Sequence, residues 1–216
     1  MGTSPQAFVF DLDGVLIQSE QEVNMEAAKQ VFCERRMRLT KAELRTIPGK
    51  RFSGYALPLL AKRGVTDPNE TDEVIRAIRA RYDELWDGNV RIMPGAKKVV
   101  QELKRRGVQL GIATSNRRDI VERFYDRFGF RGHFDFAVTG SDVEHHKPHP
   151  QVYLIARACI GLPAENILAV EDTEVGVAAA KDAGLPCAAL RNKFSMDHNF
   201  SRADVEIPAL GMILSL

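Results

Sequence analysis

The stretch Ala7-Phe8-Val9-Phe10-Asp11-Leu12-Asp13-Gly14 decides how the rest of the chain is read. Four apolar residues without helical spacing are cut off by two carboxylates and a glycine. That is the pattern of a short strand buried on both faces of a parallel sheet. Similar runs return at residues 108–113, 134–138, 166–170 and 186–190. Helical stretches separate them, such as residues 96–106, where Val99, Val100 and Leu103 share one apolar face. Strand alternating with helix predicts an α/β fold, a doubly wound, Rossmann-like parallel sheet covered by helices on both sides.

Between about residues 19 and 86 the strand rhythm stops, and helical patterns follow one another over a length unusual for one crossover connection. An inserted all-helical subdomain accounts for this, with residues 1–15 and 90–216 as the α/β core and residues 16–89 as the insert. Its last helix starts at the capping box Asp67-Pro68-Asn69-Glu70 and carries a stripe of Val74, Ile75, Ile78, Tyr82 and Leu85. Helix packing within the insert explains that stripe. Asp87-Gly88-Asn89 reads as the turn that returns the chain to the core.

The 216 residues, 44% hydrophobic, suffice for one large domain or for a domain with a smaller insert. Thirty Lys and Arg nearly cancel twenty-nine Asp and Glu, for a formal charge of +1, so no global field points to nucleic acid or a membrane surface. The N-terminal residues lack the pattern of a secretory signal, and no apolar run is long enough to span a bilayer, so a cytoplasmic protein is expected. Cys33, Cys159 and Cys187 are odd in number and widely spaced, and read as buried free thiols. No coiled-coil heptad appears, which fits a monomer or weak homo-oligomer.

Asp11 and Asp13 stand two apart at a strand end, so in extended geometry they share a face, and Gly14 permits a sharp turn after them. Such a pair can hold a cation or divide the roles of nucleophile and general acid/base, although Asp-x-Asp-Gly alone describes a structural turn equally well. Three further segments fall near the same edge of the predicted sheet, where ligands bind in such folds. Thr114-Ser115-Asn116 offers hydroxyl, amide and backbone donors suited to a phosphate, or a simple helix cap. Glu171-Asp172 could complete a hard-cation site with Asp11 and Asp13, or simply favour a helix start. Lys147 lies in the proline-bounded run His145-His146-Lys147-Pro148-His149-Pro150; an isolated loop lysine is usually solvated. The three histidines there lack a further His or Cys at ligand spacing, which argues against a transition-metal centre.

These four segments, in this order, resemble the four motifs of the haloacid dehalogenase superfamily of phosphohydrolases. Residues 10–16 are similar to the first motif, Thr114 to the second, Lys147-Pro148-His149-Pro150 to the third, and residues 171–184 to the fourth. The resemblance implies that residues 16–89 are the helical cap such enzymes insert after the first strand. It further implies that Asp11 attacks phosphorus while Asp13 protonates the leaving oxygen and later activates water. Thr114, with Gly14, Ser115 and Asn116, would bind the phosphoryl group, and Lys147 would pair with Asp11 and the phosphate. Mg²⁺ would be held by Asp11, Asp172 and the backbone carbonyl of Asp13, with Glu171 as a further ligand.

Within the superfamily the cap and first motif are most similar to the branch of β-phosphoglucomutase and small sugar-phosphate phosphatases. This chain has Gln18 where branch members have an acidic residue, and Val23 or Asn24 where they have histidine. In the mutase a Gly-x-Ser-Arg cap segment grips a second phosphate; the counterpart Gly49-Lys50-Arg51 places its arginine one position early. These departures favour a phosphatase for a small phosphate ester, a sugar phosphate or a phosphoglycolate-like acid. A phosphosugar mutase and a non-catalytic phospho-ligand-binding module are the alternatives. Lys50, Arg51, Phe52 and Tyr55 are the candidates for contacting the substrate's leaving group. Residues 191–201 read, from composition, as a mobile loop near the site.

Overall fold

The run that opens the chain forms a strand, β1 (Ala7–Phe10), with all four residues buried. The computed structural model describes residues 4–18, 20–47 and 51–216. After β1 come β2 (Ile17–Gln18), α1 (Glu20–Glu34), α2 (Lys41–Leu44), α3 (Phe52–Ala61), α4 (Pro68–Asn89) and β3 (Arg91–Ile92). They are followed by α5 (Ala96–Arg105), β4 (Gln109–Ala113), α6 (Arg118–Phe128), β5 (Phe136–Val138) and α7 (Gln151–Ile160). The chain ends through β6 (Ile167–Glu171), α8 (Glu174–Asp182), β7 (Cys187–Leu190) and β8 (Val205–Ile207).

Six strands make one sheet in the order β5-β4-β1-β6-β7-β8, and each neighbouring pair is parallel. β1 sits between β4 and β6, with Phe10 opposite Ile112 on one side and Val170 on the other. The order reverses at β1, so the carboxyl ends of β1, β4 and β6 open on the crevice that forms at such a switch point.

Side chains of β1 alternate between two apolar layers, as strand geometry requires. Ala7 and Val9 join Tyr153, Ala156, Val177 and Ala180 in one. Phe8 and Phe10 stack at 6.0 Å, and Phe10 meets the edge of Phe134 at 6.3 Å. Burial on both sides explains why this strand reads as a continuous apolar run.

By its internal contacts the chain divides into two units, Met1–Gln18 with Ile92–Leu216, and Ser19–Arg91. The second is helical. Asp67 accepts from the Glu70 backbone N–H at 3.0 Å and starts α4, whose buried face is Thr71, Val74, Ile78, Tyr82 and Trp86. Ile75 and Leu85 of the expected stripe are half-buried at its margins.

Two sequence expectations change. Residues 87–89, expected as a turn, continue α4: buried Trp86 anchors the last turn, its carbonyl accepts from Val90 N–H at 2.9 Å, and Asn89 Nδ2 donates to Leu85 O at 2.8 Å. Cys33 and Cys159 are exposed on the outer faces of α1 and α7, and only Cys187 is the buried thiol expected of all three. The short strands β2, β3 and β8 were too brief to show a period.

Candidate active site

The acidic and hydroxyl candidates of the core unit sit where parallel strands end. Asp11 follows β1, Thr114 follows β4, and Glu171 and Asp172 end and follow β6. Lys147 comes from the long connection between β5 and α7. Its Nζ donates to Asp11 Oδ1 at 2.6 Å, Glu171 Oε1 at 2.5 Å and the Ala113 carbonyl at 2.9 Å. The Lys147 side chain is 6% exposed, so this lysine is not the solvated loop residue its isolation in sequence suggests.

Glu171 is fully enclosed and its carboxylate is heavily engaged. Oε1 takes Lys147 and also the Tyr153 hydroxyl at 2.8 Å; Oε2 accepts the Asp172 backbone N–H at 3.1 Å and the Thr173 hydroxyl at 3.3 Å. Gly176 leaves room for it, since a Cβ there would lie 2.1 Å from the Glu171 carboxylate. The ring of Tyr153 also lies 4.9 Å from Lys147 Nζ, close enough for a cation–π contact.

Asp172 is fully buried as well. Its Oδ2 accepts from Asn192 Nδ2 at 2.7 Å, whereas its Oδ1 is buried with no hydrogen-bond partner among the described residues. Gly14, at φ +81°, passes directly over this carboxylate, and a Cβ there would fall 1.8 Å from Asp172 Oδ2. The glycine of Asp-x-Asp-Gly therefore serves close approach as well as the turn.

Asp11, Glu171 and Asp172 each offer an oxygen, and these lie within 4.8 Å of one another. Lys147 offsets one of the three negative charges, and a divalent cation would offset the other two. An all-oxygen donor set of this kind suits a hard cation, and the partnerless Asp172 Oδ1 is the atom most in need of one. The protonation balance points the same way. Burial, with Glu171 adding repulsion, pushes the Asp11 carboxyl up to about 7 despite Lys147 beside it. Burial and the charges of Asp11 and Glu171 push Asp172 well above the carboxylate range. Burial works against the charge on Lys147, but Asp11 and Glu171 outweigh it and hold the ammonium above its ordinary value.

Asp13 is half-buried, and its Oδ2 accepts from Asn116 Nδ2 at 2.5 Å. Thr114, 1% exposed, is no helix cap: α6 begins at Arg118, and Thr114 Oγ1 accepts from the Asn116 N–H at 3.1 Å inside a tight turn. Ser115 is exposed. The turn is backed by Gly140, whose Cβ would lie 2.3 Å from the Ser115 carbonyl.

Among the insert candidates, Lys50 lies outside the described residues, and Arg51 is exposed just before α3. Phe52 packs edge-on to Tyr82 at 5.5 Å. Tyr55 is 1% exposed and donates its hydroxyl to Asn24 Oδ1 at 2.7 Å, which makes it part of the helical unit's own packing. Two further polar residues bonded to the carboxylates, Tyr153 and Asn192, are not among the sequence candidates. The available signal for Asn192 was position: it stands two residues past the end of β7, at the same sheet edge as Asp11, Thr114 and Asp172. The 191–201 segment that carries it makes several hydrogen bonds through its first residue. Arg191 donates to the carbonyls of Ser195 at 2.5 Å and His198 at 3.0 Å and to Glu206 at 2.7 Å.

Residues 8–190 match the family model described as haloacid dehalogenase-like hydrolase. Protein CbbY of Rhodobacter capsulatus is 30% identical over 95% of this chain and 93% of its own. Hexitol phosphatase B of Escherichia coli K12 is 29% identical over 94% of this chain and 92% of its own. Among solved structures, CbbY from Rhodobacter sphaeroides in complex with phosphate superposes with a TM-score of 0.81 at 26% identity, covering 98% of this chain and all of that one. A mutant of the same protein, solved with xylulose-(1,5)bisphosphate, gives a TM-score of 0.77 over 95% of each chain. The carboxylates, the buried lysine and the hydroxyl turn thus sit on a scaffold whose sequence match runs from β1 to the end of β7, and the chain belongs to the haloacid dehalogenase-like hydrolase family.

Proposed function

We propose that this chain is a Mg²⁺-dependent phosphatase that hydrolyses a small phosphate monoester, a sugar phosphate by preference, through transient phosphorylation of Asp11. The observation that carries the reading is the Lys147 ammonium fixed between Asp11 and Glu171, with Asp172 alongside, at the carboxyl ends of β1 and β6. Lys147 keeps the Asp11 carboxylate oriented and, being charged, offsets the negative charge of an incoming phosphate.

In the first half-reaction an Asp11 carboxylate oxygen forms a bond to phosphorus as the bond from phosphorus to the ester oxygen breaks. The leaving alkoxide takes its proton from Asp13, which Asn116 holds by Oδ2. In the second half, water attacks the same phosphorus, Asp13 takes the water's proton, and the phosphorus–Asp11 oxygen bond breaks to free inorganic phosphate. Thr114 and the backbone donors of Ser115 and Asn116 bind the phosphoryl oxygens. Asp11, Asp172 and Glu171, with the backbone of Asp13, would hold Mg²⁺, which supplies charge neutralisation at the phosphoryl group.

Gly14 allows the close packing of these groups. The names of the relatives support the substrate class: hexitol phosphatase B carries a sugar-alcohol phosphatase activity in its name, and CbbY has been seen with a sugar bisphosphate. A reducing cytoplasm fits the free thiols. Among the described residues no helix is long and apolar enough to cross a membrane.

The test is phosphate release from a panel of sugar phosphates and phosphoglycolate, with Mg²⁺ and with chelator. Release that stops on chelation and is abolished in Asp11→Asn, with the circular dichroism spectrum unchanged, is the expected result. A fully active Asp11→Asn enzyme would sink the mechanism. Isomerised hexose phosphate with little free phosphate would make the protein a mutase, and binding without turnover would make it a ligand-binding module.

A further inference from the structure

We infer that Asn192 is a positioning residue that sets the Asp172 carboxylate for the divalent cation, and this rests on the metal reading of the site proposed above. Asp172 has one oxygen engaged and one not. Asn192 Nδ2 takes Oδ2 at 2.7 Å and leaves buried Oδ1 with no hydrogen-bond partner among the described residues. A carboxylate held by one oxygen cannot rotate freely, and in a carboxylate grouped with those of Asp11 and Glu171 this leaves Oδ1 as the oxygen not already engaged by a donor among the described residues.

The direction of the Asn192 amide is set by the chain around it. Asn192 Oδ1 accepts the backbone N–H of Phe194 at 2.8 Å and of Ser195 at 3.2 Å, a turn closed by an Asn side chain on its own following backbone. With the oxygen committed to two donors, the amide nitrogen must face Asp172. It also donates to the Gly14 carbonyl at 3.2 Å, which ties together the glycine turn after β1 and the carboxylate after β6. The turn itself is stiff. The Ser195 hydroxyl is fully buried and accepts the Asn192 N–H at 2.9 Å, and the Arg191 guanidinium clamps the segment at three further points. A donor so preorganised costs little entropy to use.

Partners that orient metal-binding carboxylates typically change metal affinity 10–100-fold when removed. The experiment is calorimetric titration of Mg²⁺ into the full chain without substrate, for wild type, Asp172→Asn, Asn192→Ala and Ser195→Ala. Ser195→Ala loosens the turn but leaves the Asn192 amide its Phe194 partner, so it separates loop rigidity from the contact with Asp172. Asn192→Ala is expected to weaken binding about 10–100-fold while Ser195→Ala stays near wild type. In turnover of an aryl phosphate, the Mg²⁺ concentration at half-maximal rate shifts by the same factor in Asn192→Ala and the plateau rate is kept. Wild-type affinity in Asn192→Ala, an equal loss in Ser195→Ala, or a lowered plateau with no shift in midpoint overturns the assignment. If wild type binds no Mg²⁺, or Asp172→Asn binds it as well as wild type, the metal reading fails and takes the assignment with it.

Discussion

Replacing Lys147 with methionine keeps the length and apolar stem of the side chain and removes its charge. In the native protein the Lys147 side chain is 6% exposed and its ammonium bonds two carboxylates, Asp11 at 11% and Glu171 at 0% side-chain exposure. Removing one partner from a buried pair leaves charge without compensation, which costs roughly 3–5 kcal/mol. Here two carboxylates lose the same cation, and the Ala113 carbonyl loses its donor as well.

The cost depends on pH. Asp11 titrates at about 7 in the folded wild type, raised by burial, so its native form holds a proton that the unfolded chain has released. The native state then binds more protons than the unfolded state, and stability falls as pH rises from the unfolded value toward 7, levelling off above it. Without Lys147 the Asp11 value rises further, and the fall continues into the alkaline range. The gap between variant and wild type is therefore widest above pH 7 and narrows below it.

Urea unfolding followed by circular dichroism, in chelator at pH 8 and at pH 5.5, reads this directly. For a slope of about 2.5 kcal/mol per M, the loss at pH 8 corresponds to a midpoint lower by about 1–2 M. A Lys147→Met protein as stable as wild type at pH 8, or equally weakened at both pH values, would refute the account of Lys147 as the buried counter-charge.

Gly14→Ala meets two obstacles, a left-handed φ that costs a residue with a Cβ about 1–2 kcal/mol and an Asp172 oxygen 1.8 Å from the new atom. It should lose Mg²⁺ binding and turnover while the far-UV spectrum stays that of the wild type; retention of both would mean the close approach has no functional weight. Because Asp11 and Asp172 are held protonated upward of the ordinary range, Mg²⁺ must displace protons to bind. Affinity should rise from pH 5.5 to 7.5 with proton release detectable by calorimetry in buffers of different ionisation enthalpy, and a pH-independent affinity would contradict it.

Much of the candidate site was legible because its residues follow strand ends, and strand ends in a parallel sheet announce themselves as apolar runs closed by Asp, Thr or Glu. Asp11, Thr114 and Asp172 are found that way, and the helical insert by the loss of strand rhythm between them. Lys147 was legible only through its resemblance to a family motif, since it lies in a loop nine residues beyond the nearest strand. The extension of α4 through residues 87–89 was misread because Asp-Gly-Asn is good turn chemistry, and the burial of Trp86 that overrides it is a tertiary effect.

By itself, then, the sequence determined the alternation of buried strands and helices, the helical insert, and which acidic residues stand at which strand ends, because these follow from local pattern and chain order. Only the tertiary structure decided the partners. Lys147 reaches Asp11 across 136 positions of sequence, and Asn192 reaches Gly14 across 178. Whether a side chain's second oxygen is bonded, as in Glu171, or left without a partner among the described residues, as in Asp172, depends on donors brought in by separate strands and loops. Those distances are set when the sheet closes its order around β1, and no local window of sequence contains them.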